Sequence, residues 1–233
     1  MINCCAQSHM LRDINIAPTK NMMNQTIPKA LFITGTDTGV GKTHVACQLI
    51  QQYVAQGYQV VGMKPVAAGE DFVNGEWVND DVLKLEAASN VKAPRALTNP
   101  YSFKQAIAPH IAAALAGVEI KLEVLLQAYE DLSQLADIVI IEGAGGFLVP
   151  INDKNTLADF VQAINIPIVL VVGMKLGCIN HALLTIEAIK TKNCQLHGWI
   201  ANSTHEKMQY YNENVLTIVK KLQLNNTILN TNC

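Results

Sequence analysis

Gly41, Lys42 and Thr43 have the residue types and the order that are needed to hold phosphate groups. They end a glycine-bearing loop that follows an apolar run at residues 30–34, and an amphipathic helical pattern begins at Thr43. In a strand, loop and helix of this kind, backbone N–H groups and the helix N-terminus face the anion. Lys42 would then reach the terminal phosphates of a nucleotide, and the Thr43 hydroxyl would ligate Mg²⁺.

The loop departs from the common phosphate-loop pattern at one position. That pattern places a glycine where this chain has Thr36, and the available Gly35 lies one residue too early. A chance Gly-Lys-Thr sequence in a turn is the alternative interpretation. The apolar run before the loop and the helical pattern after it favour nucleotide binding.

Polar residues also end three other apolar runs. Lys64, Glu142 and Asn202 each stand at the tip of a predicted strand. Alone, the lysine would be interpreted as a solvated surface charge and the glutamate as part of a turn. Ligands of a parallel sheet bind at the carboxyl ends of its strands, however. Placed opposite Thr43, Glu142 is a candidate second anchor for Mg²⁺, which takes one or two carboxylates beside substrate phosphates.

An acidic pair begins the helical pattern at residues 80–88. Asn79, Asp80 and Asp81 are suited to cap that helix. In the alternative interpretation, one aspartate caps the helix and its neighbour binds the metal. The sequence leaves both open.

The elements that must position these residues alternate along the chain. Strands are predicted at residues 31–34, 59–63, 137–142, 167–172 and 196–201. Helices are predicted at residues 43–56, 80–88, 108–116, 122–135, 156–164, 178–190 and 206–222, and Gly57 is placed to end the first. The alternation predicts an α/β fold of the P-loop NTPase kind, with a mostly parallel sheet flanked by helices on both faces.

Composition limits the classes of function. The chain has 233 residues and a formal net charge of −2, which offers no electrostatic basis for binding nucleic acid or a membrane surface. No apolar run approaches the ~20 residues that span a bilayer. The six cysteines lack metal-ligand spacing, and reduced thiols in the cytosol are expected. We expect a disordered extension at residues 1–28, a single domain at residues 29–224 and a polar tail at residues 225–233.

Several motifs, taken together and in order, resemble the dethiobiotin synthetase family. They are "GTDTGVGKT", "KPVAAG", "NDD", "NPYSF", "APHIAA", "EGAGG", "VVGMKLGCINHALLT" and "GWIAN". The likeness covers roughly residues 30 to 202. The phosphate loop alone is shared with related proteins, whereas the pair "EGAGG" and "KLGCINH" is specific.

The resemblance implies a reaction that closes a cyclic urea. In this family 7,8-diaminononanoate, CO₂ and ATP give dethiobiotin, ADP and phosphate in biotin synthesis. One amine takes up CO₂ as a carbamate, the carbamate attacks the γ-phosphoryl group, and the other amine then closes the ring and expels phosphate. The resemblance also implies a cytoplasmic homodimer that requires Mg²⁺.

The resemblance assigns roles to residues that match the family's motifs. The catalytic residues are Lys42 and Lys64, and the metal ligands are Thr43, Asp81 and Glu142. Nucleotide contacts match Gly39, Val40, Gly41, Lys42, Thr43, His44, Asp81, Glu142, Gly143, Ala144, Gly145 and Asn202. Substrate contacts match Thr38, Lys64, Ala68, Cys178, Ile179 and Asn180. The last three begin a helix, and in the family this helix N-terminus holds the carboxylate of a substrate that is bound mainly by the other subunit.

Three positions depart from the family's pattern. Ala68 replaces a frequent serine after the catalytic lysine, and Gly39 stands where the loop is often acidic. A "GEIP"-like segment that helps to enclose the base is absent near the C-terminus. Weak adenine binding, or acceptance of other nucleoside triphosphates, is therefore expected.

Three alternatives remain at the level of sequence. Another carboxylate-activating ligase on the same scaffold is disfavoured by "KLGCINH". A nucleotide switch of the partitioning-ATPase type generally carries a second lysine early in the loop, where this chain has Thr36, Asp37 and Thr38. A non-catalytic relic is suggested only by the shortened C-terminus.

Overall fold

A five-stranded parallel sheet forms the centre of the molecule, as the sequence predicts. The computed structural model describes residues 27–203 and 208–222. The strands in these ranges are β1 (Ala30–Gly35), β2 (Val60–Met63), β3 (Val66–Ala68), β4 (Asp71–Val73), β5 (Glu76–Val78), β6 (Tyr101–Phe103), β7 (Ile138–Gly146), β8 (Ile168–Gly173) and β9 (Leu196–Asn202). The central sheet has the order β2-β7-β1-β8-β9, and its strands pair in parallel.

Helices cover both faces of this sheet. In the described ranges they are α1 (Lys42–Ala55), α2 (Asp80–Ala88), α3 (Arg95–Thr98), α4 (Pro109–Leu115), α5 (Leu122–Leu135), α6 (Leu157–Ile164), α7 (Cys178–Thr191) and α8 (Tyr211–Leu222). Gly57 has a φ of 92° just after α1, so its predicted role at the helix end is confirmed. None of the helices in the described part of the chain is long and apolar enough to cross a membrane.

Alternate residues of the central strands serve two separate cores. In β1, Ala30 and Phe32 pack into a cluster with residues of α5 and α6. Leu31 and Ile33 pack on the opposite face with residues of α1. Because successive strand residues point to opposite faces, a strand covered on both sides reads as a continuous apolar run. This burial holds the carboxyl ends of the strands at fixed positions.

Most predicted bounds agree with the structure to within one or two residues, but two elements differ more. The third predicted strand, 137–142, runs on through its glycines to Gly146, which pairs with Gly35 of β1 after a register shift, and Gly145 has a left-handed φ of 62°. The last predicted helix, 206–222, begins only at Tyr211. Tyr210 has a left-handed φ of 56°, which a continuing helix does not adopt.

Four short strands and one short helix in the described ranges were not predicted from the sequence. β3 pairs in parallel with β6. β4 and β5 form a separate antiparallel hairpin with Asn74 and Gly75 at its turn. The helix α3 has four residues. Three-residue strands are too short to show a periodic pattern. Apart from residues 27 and 28, the predicted N-terminal extension lies outside the described residues, as does the polar tail.

Candidate active site

The phosphate loop joins β1 to α1 and has the predicted strand, loop and helix order. Gly41 caps the helix with a φ of 91°, a left-handed conformation that glycine adopts without steric cost. Gly35 is needed for a different reason, since a Cβ atom there would lie 2.6 Å from Cγ2 of Val40. The hydroxyl of Thr36 accepts a hydrogen bond from the Gly173 N–H at 3.2 Å. The early glycine and the threonine therefore both fit this loop.

Lys42 is the first residue of α1, directly after this loop, and within the described residues no carboxylate bonds to its ammonium group. Its side chain is buried, and Nζ donates to the carbonyl oxygen of Asp37 at 2.9 Å. Burial lowers the pKa of Lys42 below its ordinary value, partly offset by the more distant Glu142. A buried cation with one neutral partner is suited to receive an anion such as a phosphate group.

Next to the phosphate loop, four side chains from four parts of the chain lie in contact. Nζ of Lys64 lies 2.7 Å from Oδ2 of Asp81 and 2.9 Å from Oε1 of Glu142. The Thr43 hydroxyl lies 2.7 Å from Oδ1 of Asp81 and 2.9 Å from the same Glu142 oxygen. The structure therefore unites the predicted lysine with all three predicted metal ligands. We call these four residues the Lys64 cluster.

Local structure explains how each acidic residue reaches this cluster. Asn79 caps α2 by accepting from the Val82 N–H at 3.3 Å, which places Asp81 in the first helical turn. Asp80 instead pairs with Lys84 at the surface, so neither aspartate is the N-cap. Glu142 lies within β7, beside Ile33 of β1, rather than at the strand tip that the sequence predicts.

Charge in the Lys64 cluster is not fully balanced. Burial raises the pKa of Glu142 and the nearby Asp81 carboxylate adds to the shift, whereas Lys64 opposes it. Burial acts against the charge of Lys64, yet Glu142 and Asp81 together raise the pKa of its ammonium group. Two carboxylates thus face one cation. Oε2 of Glu142 is buried without a hydrogen-bond partner in the described residues. A further cation fits this donor set.

The remaining predicted nucleotide contacts lie around the phosphate loop. Nδ2 of Asn202, at the end of β9, donates to the carbonyl oxygen of Val40 at 2.8 Å, so this amide braces the loop. Gly143, Ala144 and Gly145 belong to β7, and a Cβ atom at Gly145 would lie 3.6 Å from the Thr38 hydroxyl. The other residues assigned to this set are Gly39 and His44, both exposed.

The predicted carboxylate-binding turn lies at the start of α7. Gly177 caps the helix with a φ of 96°, Cys178 is buried, and Asn180 is exposed. The Cys178 N–H already donates to the carbonyl oxygen of Lys175 at 2.9 Å. Ile179 and Asn180 therefore carry the first-turn N–H groups that can face an anion. Ala68, the other predicted substrate contact, is half-buried in β3.

Comparisons with known proteins decide the family. A family model described as an AAA domain matches residues 29–228. The ATP-dependent dethiobiotin synthetase BioD of Nitrosospira multiformis is 54% identical over 194 residues, which cover 83% of this chain and 84% of that protein. The BioD protein of Aromatoleum aromaticum is 47% identical over 197 residues, which cover 84% of this chain and 88% of that protein. The chain belongs to the dethiobiotin synthetase family.

A solved structure shares the fold of this dethiobiotin synthetase family member. The MinC:MinD cell division protein complex of Aquifex aeolicus contains a chain that superposes with a TM-score of 0.51 and 17% sequence identity. The match covers 84% of this chain and 78% of that chain. At this identity the likeness shows the fold alone, so it confirms the predicted P-loop architecture and gives no support to a partitioning function.

Sequence analysis missed one ion pair that joins two motifs of this chain. Nζ of Lys175, before α7, lies 2.8 Å from Oδ2 of Asp37 in the phosphate loop. The Lys175 ammonium group lowers the pKa of the Asp37 carboxyl, and the Lys42 bond to the Asp37 carbonyl oxygen fixes the backbone at this point. Asp37 follows β1 and Lys175 follows the neighbouring strand β8, so their opposite charges could have indicated this ion pair from the sequence. The expected weak base selectivity rests on Gly39 and on the segment after Asn202, of which the structure describes residues 203 and 208–222, and it stays a prediction.

Proposed function

We propose that this chain makes dethiobiotin from 7,8-diaminononanoate and CO₂ while it converts ATP to ADP and phosphate. The observation that carries the proposal is the Lys64 cluster beside a phosphate loop, in a chain 54% identical to a dethiobiotin synthetase. The activity is that of a ligase forming C–N bonds. We place it in the cytosol, where the free thiols of Cys47, Cys178 and Cys194 stay reduced.

The two lysines supply the charge that this reaction needs. A carbamate and a triphosphate are both anions, and their repulsion is large in a crevice that excludes water. Lys42 binds the terminal phosphates, and Lys64 stabilises the carbamate and the developing phosphoryl charge. The Lys64 ammonium has three hydrogens, and Asp81 and Glu142 account for two of them, so one donor remains for the carbamate. Phosphoryl transfer needs placement and charge rather than a nucleophilic side chain.

We propose Mg²⁺ as the cation that completes the Lys64 cluster. Thr43, Asp81 and Glu142 would hold it, because they offer the oxygen ligands that Mg²⁺ prefers and the buried Oε2 of Glu142 lacks a partner in the described residues. When bound with ATP, the ion neutralises phosphate charge during transfer. The chain's own contribution is to hold the three oxygens together before the nucleotide arrives.

We also propose that the active site is shared across a homodimer. The first-turn N–H groups at Ile179 and Asn180 suit the carboxylate of a substrate whose amines lie at Lys64 of the other subunit. Leu176, 96% exposed beside this turn, and Leu184, exposed on α7, offer apolar surface for such a partner.

The direct test is to incubate the protein with diaminononanoate, bicarbonate, Mg²⁺ and ATP, and to detect the cyclic urea by mass spectrometry. The product should carry ¹³C when the bicarbonate is labelled, and it should not form when ATP or the diamine is omitted. The Lys64→Ala variant is the control for contaminating enzymes. ATP hydrolysis without labelled urea would contradict the proposal.

A mixing experiment tests the shared site. Asn180→Asp adds a charge that suits a helix N-terminus but repels the substrate carboxylate, so it should weaken diamine binding without weakening the fold. After subunit exchange with Lys64→Ala, half of the dimers are mixed and each contains one intact composite site. Activity at low diamine concentration should return to about a quarter of the wild-type value. If exchange is demonstrated and activity stays low, each site lies within one chain.

A further inference from the structure

The backbone of Lys64 is held on both sides by one short segment. β2 is an edge strand of the sheet, and Lys64 follows its last residue, Met63. The Lys64 N–H donates to the carbonyl oxygen of Thr98 at 2.7 Å. Nδ2 of Asn99 donates to the Lys64 carbonyl oxygen at 2.7 Å. Pro65 comes next and has no N–H, so two consecutive residues satisfy the backbone groups at this point of the chain.

Asn99 is itself fixed within the fold. Its side chain is buried, and Nδ2 also donates to the Tyr101 carbonyl oxygen at 3.0 Å. The two hydrogens of the amide are thus matched by two carbonyl oxygens. The Asn99 N–H donates to the Arg95 carbonyl oxygen at 2.7 Å, which ties the residue to α3. Asn99 therefore links the end of β2 to the start of β6.

This link matters because the Lys64 side chain is long and its ammonium group must meet several partners. Nζ lies less than 3 Å from carboxylate oxygens of Asp81 in α2 and of Glu142 in β7. A reacting group must be held within about 0.5 Å of its productive position. Four rotatable side-chain bonds allow that only if the Cα atom is fixed.

We propose that Asn99 is a positioning residue for Lys64: its amide fixes the Lys64 backbone so that the ammonium group reaches the carboxylates and the reacting anions. The inference rests on the proposed function only in the final step, where Lys64 stabilises the carbamate. The geometry of the Lys64 side chain is a separate, measurable consequence. The resemblance to known synthetases assigns no role to Asn99.

Ser89 provides a matched control. Its side chain is also buried and also makes two hydrogen bonds: it accepts from the Gly62 N–H of β2 at 2.9 Å and donates to the Leu85 carbonyl oxygen of α2 at 2.7 Å. It does not contact the Lys64 backbone. Ser89→Ala therefore loosens the same strand edge two residues before Lys64, without releasing the lysine.

Acylation of lysines by a limiting amount of acetic anhydride tests the positioning directly. Lys64 is buried between two carboxylates and reacts slowly, whereas the exposed Lys154 serves as the internal reference. Mass spectrometry of peptides gives the ratio of the two rates. In Asn99→Ala this ratio should rise by about fivefold or more, because local opening exposes the amine. In Ser89→Ala it should change by less than about twofold. Equal ratios in the two variants would overturn the proposal.

Kinetics supply the second readout. In Asn99→Ala, kcat should fall by about tenfold or more while the Kd for ATP stays within about twofold, because Lys42 is held elsewhere. Ser89→Ala should keep kcat within about twofold of wild type. If kcat falls equally in both variants, a general loss of structure explains the result and Asn99 has no positioning role. Asn99→Ser keeps a small hydrogen-bond donor and serves as the second variant if Asn99→Ala does not fold. It should show smaller changes in the acylation ratio and in kcat, in the same direction. No change in either quantity would overturn the proposal.

The two readouts separate this inference from the proposed function. The acylation ratio requires no turnover. If wild-type protein forms no dethiobiotin but the ratio still rises only in Asn99→Ala, the proposed function fails and the positioning role stands. If dethiobiotin forms and the ratio is unchanged, the positioning role fails alone.

Discussion

Two buried lysines lie at the carboxyl edge of the same sheet, and their surroundings differ. Lys42 is 6% exposed and Lys64 is 5% exposed, so burial does not distinguish them. The Lys42 ammonium donates to a neutral carbonyl oxygen, that of Asp37. The Lys64 ammonium lies between the carboxylates of Asp81 and Glu142. The two ammonium groups therefore differ in the charge of the groups to which they donate.

The pKa values of the two lysines shift in opposite directions as a result. Burial lowers the pKa of Lys42, whereas Glu142 and Asp81 outweigh burial and raise the pKa of Lys64. Lys42 therefore carries a charge whose compensation must come from a ligand. Lys64 carries a charge that the protein already compensates. The proposed roles call for this difference: Lys42 would bind a phosphate group that the ligand brings, and Lys64 would be held in position before the reaction forms its anion.

The largest expected effect separates the lysines by function. Lys64→Ala should lower kcat by about 10³-fold or more while the Kd for ATP changes little, because the lysine stabilises charge that develops in the transition state. Lys42→Ala should weaken ATP binding as well as turnover, since its phosphate contact exists in the ground state. Product formation and the fluorescence of a bound ATP analogue measure the two quantities. Near-normal turnover in Lys64→Ala would refute its assigned role.

A smaller effect separates the lysines by stability. Without ligands, Lys64→Met leaves the buried Glu142 carboxylate without its cation and should lower the free energy of unfolding by about 3 kcal/mol. Lys42→Met removes a buried charge that has only a carbonyl partner, so the same quantity should change by less than about 1 kcal/mol. Urea unfolding in the presence of a metal chelator measures both values. Equal losses in the two variants would mean that the partners do not decide the energetics.

The neighbouring residues Asp80 and Asp81 test whether a carboxylate that contacts Lys64 also binds a metal ion. Asp81→Asn should raise the Mg²⁺ concentration needed for half-maximal activity by about tenfold, because a carboxylate ligand is lost. Asp80→Asn is the matched control, since Asp80 is exposed and pairs with Lys84. It should leave the Mg²⁺ requirement unchanged and lower the free energy of unfolding by about 0.5 kcal/mol or less. A requirement that shifts with Asp80 alone would reverse this assignment.

The sequence predicted the five main strands because strands buried on both faces read as apolar runs, as residues 30–34 and 167–172 do. It did not predict β3 to β6, since three residues cannot show a period. The hairpin at residues 71–78 did carry a signal, an Asn-Gly pair between residues of strand-forming type. The Asn-Gly pair is therefore the feature of the sequence that indicates this hairpin.

The candidate site was predicted as a set of strand tips, but its contacts were not. Residue type and the rule for parallel sheets were enough to select Lys64 and Glu142. Nothing in the spacing of residues 64, 81 and 142 shows that one ammonium joins both carboxylates. Asn99 stands 35 positions after Lys64, and its role depends on a contact through space. Such contacts depend on where the segment around residue 99 lies against the edge strand β2, and the periodic patterns of neighbouring residues do not encode this.

The smallest effect is a difference in how stability depends on pH. The pKa of Lys42 is lowered from 10.5, so between its folded-state pKa and 10.5 the unfolded chain binds more protons, and the contribution of Lys42 to stability rises with pH. The pKa of Lys64 is raised, so its contribution is complete below 10.5 and is lost as pH rises towards its folded-state pKa. Urea unfolding from about pH 9 upward, for wild type and each Lys→Met variant, compares the two terms, because titrations that are not coupled to the replaced lysine cancel in the differences. Relative to Lys42→Met, wild type should gain stability as pH approaches 10.5; relative to Lys64→Met, it should lose stability above that pH. Slopes of the same sign would show that burial, and not the carboxylate partners, controls both lysines.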